Sequence, residues 1–178
     1  MKTLKREYIP RYSYGDYLNW EGRWELIDGI AFAMSPLPSI EHQETSKRIL
    51  IQLTSLLKDC PECKALLPVN WKIAEDTVVQ PDNLVVCGDV GGNYLTEKPE
   101  MIFEILSPST VFKDRNIKYE LYEDQKVKYY IIVDIGAKVA EVFRLDNEQY
   151  VKIKEAQTGT VPFEFGECRL VFDFGAIW

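Results

Sequence analysis

Gln80-Pro81-Asp82 and Phe103-Glu104-Ile105-Leu106-Ser107-Pro108-Ser109, with Glu104 standing 22 positions after Asp82, each set one carboxylate into an apolar segment that reads as a strand. An ionised carboxylate in such a place costs several kcal/mol unless a cation or hydrogen-bond donors compensate it. A divalent metal shared by Asp82 and Glu104 is the simplest compensation. The alternative is two structural acids answered by separate lysines, which has to meet the burial cost twice.

Working outward, Val78 to Cys87 and Met101 to Leu106 are predicted strands, with both acids mid-strand and a turn or loop at Gly88-Asp89-Val90-Gly91-Gly92-Asn93 between them. A further strand is expected over Ala65 to Ile73. Upstream, Ser39 is placed to cap a helix through about Lys58, with Ile49, Leu50, Leu53, Leu56 and Leu57 as its apolar stripe and His42 in its first turn. Tyr14 to Trp20 reads as a short helix. Trp24 to Met34 reads as a hairpin turned at Asp28-Gly29 and ended by Pro36 and Pro38.

Downstream, Ser107-Pro108-Ser109-Thr110 opens a second helix, roughly Val111 to Gln125. Tyr129-Tyr130-Ile131-Ile132-Val133 has the continuous apolar character of a fully buried strand. Val139 to Leu145 and Gln149 to Ile153 form a hairpin turned at Asp146-Asn147, and the tail to Trp178 is strand-like. The expected class is α/β (α+β): a mixed sheet flanked by two principal helices, with extra β-hairpins.

The chain has 178 residues, 46% hydrophobic and 28% charged, without repeats or linkers, which suits a single domain over 1–178. Its net charge of -7 is the wrong sign for holding nucleic acid mainly by neutralising phosphates, although a carboxylate-bound metal can still meet a phosphate. No apolar run approaches membrane-spanning length, and Met1-Lys2-Thr3-Leu4-Lys5-Arg6-Glu7 lacks the apolar stretch of a signal peptide, so a cytoplasmic location without membrane contact is expected. Of the four cysteines only Cys60-Pro61-Glu62-Cys63 has suggestive spacing. A structural zinc site needs a second close pair, and the only histidine, His42, lies 18 residues upstream, so two reduced thiols in the turn after a helix are expected.

Several pieces in order resemble one family. They are Trp24-Glu25-Leu26-Ile27-Asp28-Gly29, Met34-Ser35-Pro36 and Glu41-His42-Gln43, then Gln80-Pro81-Asp82, Glu104-Ile105-Leu106-Ser107-Pro108-Ser109-Thr110, and Asp114, Lys118 and Tyr122 at four-residue steps. From about Tyr14 to Ile153 the chain is similar to the Uma-type family of restriction-endonuclease-like proteins, a branch of the PD-(D/E)XK nuclease superfamily. The resemblance implies a restriction-endonuclease-like core in which Asp82 and Glu104 point at one magnesium (or manganese), with the Ile105 backbone carbonyl as a third oxygen ligand. Such a set leaves coordination places for a phosphate oxygen and a water.

The superfamily lysine is missing, because Leu106 stands where it would be. The resemblance moves that role to Lys118, on one helical face with Asp114 and Tyr122. It also makes Glu25 a third acid near the metal and His42 a general base or substrate-orienting group. Read without it, Lys118 is an exposed helix lysine paired with Asp114, Glu25 an exposed hairpin carboxylate, and His42 a hydrogen-bonded structural histidine.

The function expected is metal-dependent endonuclease action on DNA, with Lys113, Arg115, Lys118, Lys126 and Lys128 lending binding energy. A two-fold homodimer would place two sites across a duplex. A binding or regulatory module that kept the fold and lost the chemistry is the alternative, favoured by Leu106 and by the acidic balance. A carboxylate-pair hydrolase of sugars ranks last, since no aromatic sugar platform stands out.

Overall fold

In chain order, the computed structural model, which describes residues 9–34 and 37–178, begins with a one-turn helix α1 (Tyr14–Tyr17), strands β1 (Trp24–Ile27) and β2 (Ile30–Ala33), and helix α2 (Ile40–Leu56). Strands β3 (Cys63–Leu66), β4 (Trp71–Ala74), β5 (Thr77–Val79), β6 (Asn83–Cys87) and β7 (Met101–Ile105) follow. A π-helical turn (Lys113–Ile117) then runs into helix α3 (Lys118–Asp124). Strands β8 (Tyr129–Asp134), β9 (Val139–Asp146), β10 (Gln149–Ala156), β11 (Thr160–Phe165) and β12 (Cys168–Asp173) complete it. The start Met1 to Glu7 and the Ser35-Pro36 step lie outside the described residues.

The centre is a six-stranded mixed sheet in the order β10-β9-β8-β7-β6-β3. Its one parallel pair is β7 with β8, joined by the long connection through α3 that parallel strands require. A four-stranded sheet, β2-β1-β5-β4, and the hairpin β11-β12 are separate.

Strand alternation sorts the core into two. Met101, Phe103 and Ile105 of β7, with Ile131 and Val133 of β8, pack with Ile49 and Leu53 of α2 and with Phe163, Phe172 and Phe174 of the C-terminal hairpin and its flank. Ile102, Tyr130 and Ile132 point the other way, against Tyr122 of α3 and against Ile27, Trp71 and Val79 of the four-stranded sheet. Helices therefore cover both faces of the central sheet. The fold is mixed α+β, as the expected class has it.

Local chemistry explains the elements that match expectation. The β1–β2 hairpin closes through Asp28 (φ 50°) and Gly29 (φ 73°), the paired left-handed residues of a tight two-residue turn. Ser39 caps α2 by accepting from the His42 N–H. The later hairpin turns at Asn147-Glu148, both at positive φ, one step beyond the expected Asp146-Asn147.

Three expectations need correction. The helix at Tyr14 stops at Tyr17 rather than Trp20. The stretches 65–73 and 78–87 are each two strands in different sheets: Pro68 stands between β3 and β4, and Pro81, which cannot donate to a ladder, stands between β5 and β6. Asp82 therefore sits at the crossover between sheets and not mid-strand. The cysteines are not thiols: Cys60 bonds Cys168 and Cys63 bonds Cys87, because folding brings to the 60–63 turn two partners that are distant in sequence.

Candidate active site

Glu104 leaves β7 on the α3 side of the central sheet, between the inward-packed Phe103 and Ile105. At the β5–β6 crossover, Asp82 Oδ2 accepts the Ile105 N–H at 2.8 Å, which ties the second acid to the strand that carries the first. His42 Nε2, from the first turn of α2, lies 3.2 Å from the same Asp82 oxygen. Glu25 arrives from β1 with no exposure, and its Oε1 accepts the Gln80 N–H at 2.8 Å.

Opposite these acids stand two lysines. Lys118 Nζ lies 2.8 Å from Glu104 Oε1, 2.8 Å from Glu25 Oε1 and 3.7 Å from Asp114 Oδ1. Tyr122 OH donates to Glu104 Oε1 at 2.7 Å. Lys113 Nζ pairs with the other Glu25 oxygen, Oε2. In an α-helix, residues five apart lie about 140° from alignment. The π-turn, closed by the Lys118 N–H donating to the Lys113 carbonyl, relaxes that and lets both lysines reach one carboxylate.

Burial decides the charges here. It pushes the Glu104 carboxyl well above its ordinary range, and nearby Asp114, Asp82 and Glu25 add to the rise while Lys118 opposes it. Burial likewise raises Asp114 against the pull of Lys118 and a hydrogen bond with Thr110. Glu25 goes the other way: two ammoniums outweigh its burial and lower it. Burial alone would lower Lys118, yet Glu104, Glu25 and Asp114 together hold it well above the usual lysine value, so it stays charged. One ammonium serving three acids cannot fully compensate Glu104, which is why that carboxyl remains the raised one. His42, depressed by burial, is raised overall by its hydrogen bond and charge interaction with Asp82 and by the Ile105 backbone.

Asp82, Glu104, Ile105, His42, Lys113 and Lys118 all line one cavity of about 910 Å³. Four carboxylates (Glu25, Asp82, Glu104, Asp114) face two ammoniums and the His42 imidazole. Asp114 Oδ1 is buried without a hydrogen bond among the described residues. No three His, Cys, Asp or Glu side chains group into a ready-made cage among the described residues. Magnesium takes a few oxygen donors and keeps several waters, whereas a structural zinc asks for four protein ligands.

The five acidic, basic and imidazole groups expected at the site are thus brought together, and the readings of Lys118 and Glu25 as exposed side chains fail. Of the cations expected to lend binding energy, Lys113 and Lys118 pair with buried acids, Arg115 pairs with Glu141, Lys126 pairs with Glu148 at 3.4 Å, and Lys128 lies over the Tyr129 ring. Lys113 as a wall of the site escaped sequence reading, because regular helical spacing puts it off the Asp114–Lys118–Tyr122 face.

No curated protein matches the chain. Among solved structures, the crystal structure of a putative nuclease belonging to DUF820 from Anabaena variabilis matches with a TM-score of 0.74 and 15% identity, covering 93% of this chain and 96% of that one. At that identity the likeness is one of fold. Among the described residues no helix is long and apolar enough to cross a membrane. The model of the Uma2 family, described as putative restriction endonucleases, matches residues 14–164, and the chain belongs to that family.

Proposed function

We propose that this protein hydrolyses phosphodiester bonds in DNA, with a magnesium or manganese ion held by Asp82, Glu104 and the Ile105 carbonyl. The observation that supports the reading is that the two acids line one cavity, with Asp82 hydrogen-bonded to the Ile105 N–H of the strand that carries Glu104. When bound, such an ion supplies a nucleophilic water at neutral pH and neutralises charge developing on phosphate. The chain's own residues prepare for it. Lys118 and Tyr122 fix the Glu104 carboxylate from one side, and the Ile105 N–H fixes Asp82. Glu25 anchors both lysines, so that positive charge stands beside the acids where the chain lacks a lysine at Leu106. His42 stands at the cavity wall with its Nε2 3.2 Å from Asp82 Oδ2. Paired cuts across a duplex ask for two such sites, which a two-fold homodimer would supply.

A second reading, a non-catalytic binding module, is favoured by one feature: Lys118 already pairs with Glu104 and His42 already pairs with Asp82. Incubating supercoiled plasmid with the protein and Mg²⁺ or Mn²⁺ separates the two. Nicking that disappears in folded Asp82→Ala and Glu104→Ala supports the hydrolase, whereas absence of nicking on every DNA form supports the module.

A further inference from the structure

The two lysines of the site are held very differently. Lys118 is 2% exposed and its ammonium is shared among Glu104, Glu25 and Asp114, so drawing it toward a substrate would strand three buried acids. Lys113, 7% exposed, pairs with one acid among the described residues, Glu25, through Oε2. When Lys113 departs, Glu25 keeps Lys118 at 2.8 Å and the Gln80 N–H at 2.8 Å, both on Oε1, while its Oε2 loses its ammonium. Moving Lys113 therefore uncovers one oxygen of an acid that keeps a second ammonium, where moving Lys118 uncovers three acids. Its ammonium sits 5.9 Å from the Phe32 ring, and its side chain forms part of the same cavity wall as Asp82 and Glu104. A four-carbon stem with a compact charge suits such a transfer between partners.

We infer that Lys113, poised on Glu25 in the free protein, swings into the cavity to contact the substrate's phosphate, while Lys118 stays behind as the internal counter-ion that positions Glu104 and Glu25. This rests on the DNA-hydrolase reading above. It divides between two residues what a single lysine would otherwise do, and the π-turn that brings Lys113 level with Lys118 is the local feature that makes the division possible.

The test needs no cutting. The affinity of a short fluorescent DNA duplex is measured by anisotropy in EDTA over a series of salt concentrations, for wild type, Lys113→Met and Lys113→Arg. Each phosphate contact contributes about one unit to the slope of log affinity against log salt, so Lys113→Met should lower that slope by about one and weaken binding roughly tenfold. Lys113→Arg should keep the slope. A lysine that merely neutralised Glu25 would leave the slope unchanged in Lys113→Met, and that result overturns the inference alone. A wild type that binds no DNA in EDTA, and none with Ca²⁺ in its place, overturns both the inference and the reading beneath it. Should Lys113→Met fail to fold, amine acetylation of the wild type followed by mass spectrometry decides: protection of Lys113 by the duplex supports the contact, and labelling of Lys113 unaffected by the duplex overturns it.

Discussion

Phe103 and Glu104 are neighbours in β7, each at most 2% exposed, and they end in opposite worlds. Phe103 enters an apolar layer with Phe172 at a ring distance of 5.3 Å, under α2 and the C-terminal hairpin, with both disulfides in the same cluster. Glu104 enters a set of three other carboxylates and two ammoniums under α3. The first face gains from every atom it buries. The second buries charge at a cost that only mutual pairing offsets. On the proposed function, one side of the sheet secures the fold and the other is kept, against the interest of stability, for chemistry.

The largest expected effects would break each face separately. Lys118→Met, which leaves Glu104 and Asp114 without their ammonium, should cost about 3–5 kcal/mol in denaturant unfolding at neutral pH. That loss should shrink as pH falls and the stranded acids take up protons. Phe172→Ala should cost a similar amount, about 3–5 kcal/mol, with no such pH dependence. Equal pH profiles for the two variants would undo the contrast.

Next in size is the covalent reinforcement of the apolar face. The Cys60–Cys168 bond closes a separation of 108 residues, so Cys168→Ser should lower stability by about 2–4 kcal/mol and the melting temperature by roughly 10 °C. A melt unchanged by the substitution, with and without reductant, would show that the bond contributes nothing.

The smallest effect sharpens the ionic face. Because the folded-state carboxyl of Glu104 is raised, its favourable contribution exists at low pH and is lost as pH climbs from the ordinary carboxylate value through the raised one. Glu104→Gln removes that loss. It should be more stable than wild type at neutral pH, on the order of 1 kcal/mol, and the advantage should vanish toward pH 4. Glu25, whose carboxyl is lowered, should behave oppositely: its contribution is present at neutral pH and fades as pH falls below the ordinary carboxylate range.

Much of this was legible from sequence where local rules act alone. The Ser39 cap, the Asp28-Gly29 turn and the buried run Tyr129 to Val133 follow from hydrogen bonding, positive-φ preference and apolar continuity. The position of Asp82 was not, because a run of apolar residues does not reveal that Pro81 sends its two halves into different sheets. Nor was the cysteine pairing, since four cysteines allow three connectivities and the partners here are set by tertiary packing. Lys113, expected among the DNA-binding cations, was not expected beside Glu25 for a third reason. Helical periodicity assumes a regular turn, and the wide turn at Lys113 to Ile117 breaks it at the place where the site is built.

The claim underlying all of this is that the ionic face is built to take one divalent cation through Asp82 and Glu104. Titrating Mn²⁺ into the protein, with free ion followed by electron paramagnetic resonance, tests it without any reaction. The account predicts one Mn²⁺ per chain for wild type and loss of that site in Asp82→Ala whose circular dichroism matches wild type. Undiminished Mn²⁺ binding in folded Asp82→Ala, or none in wild type, would contradict it.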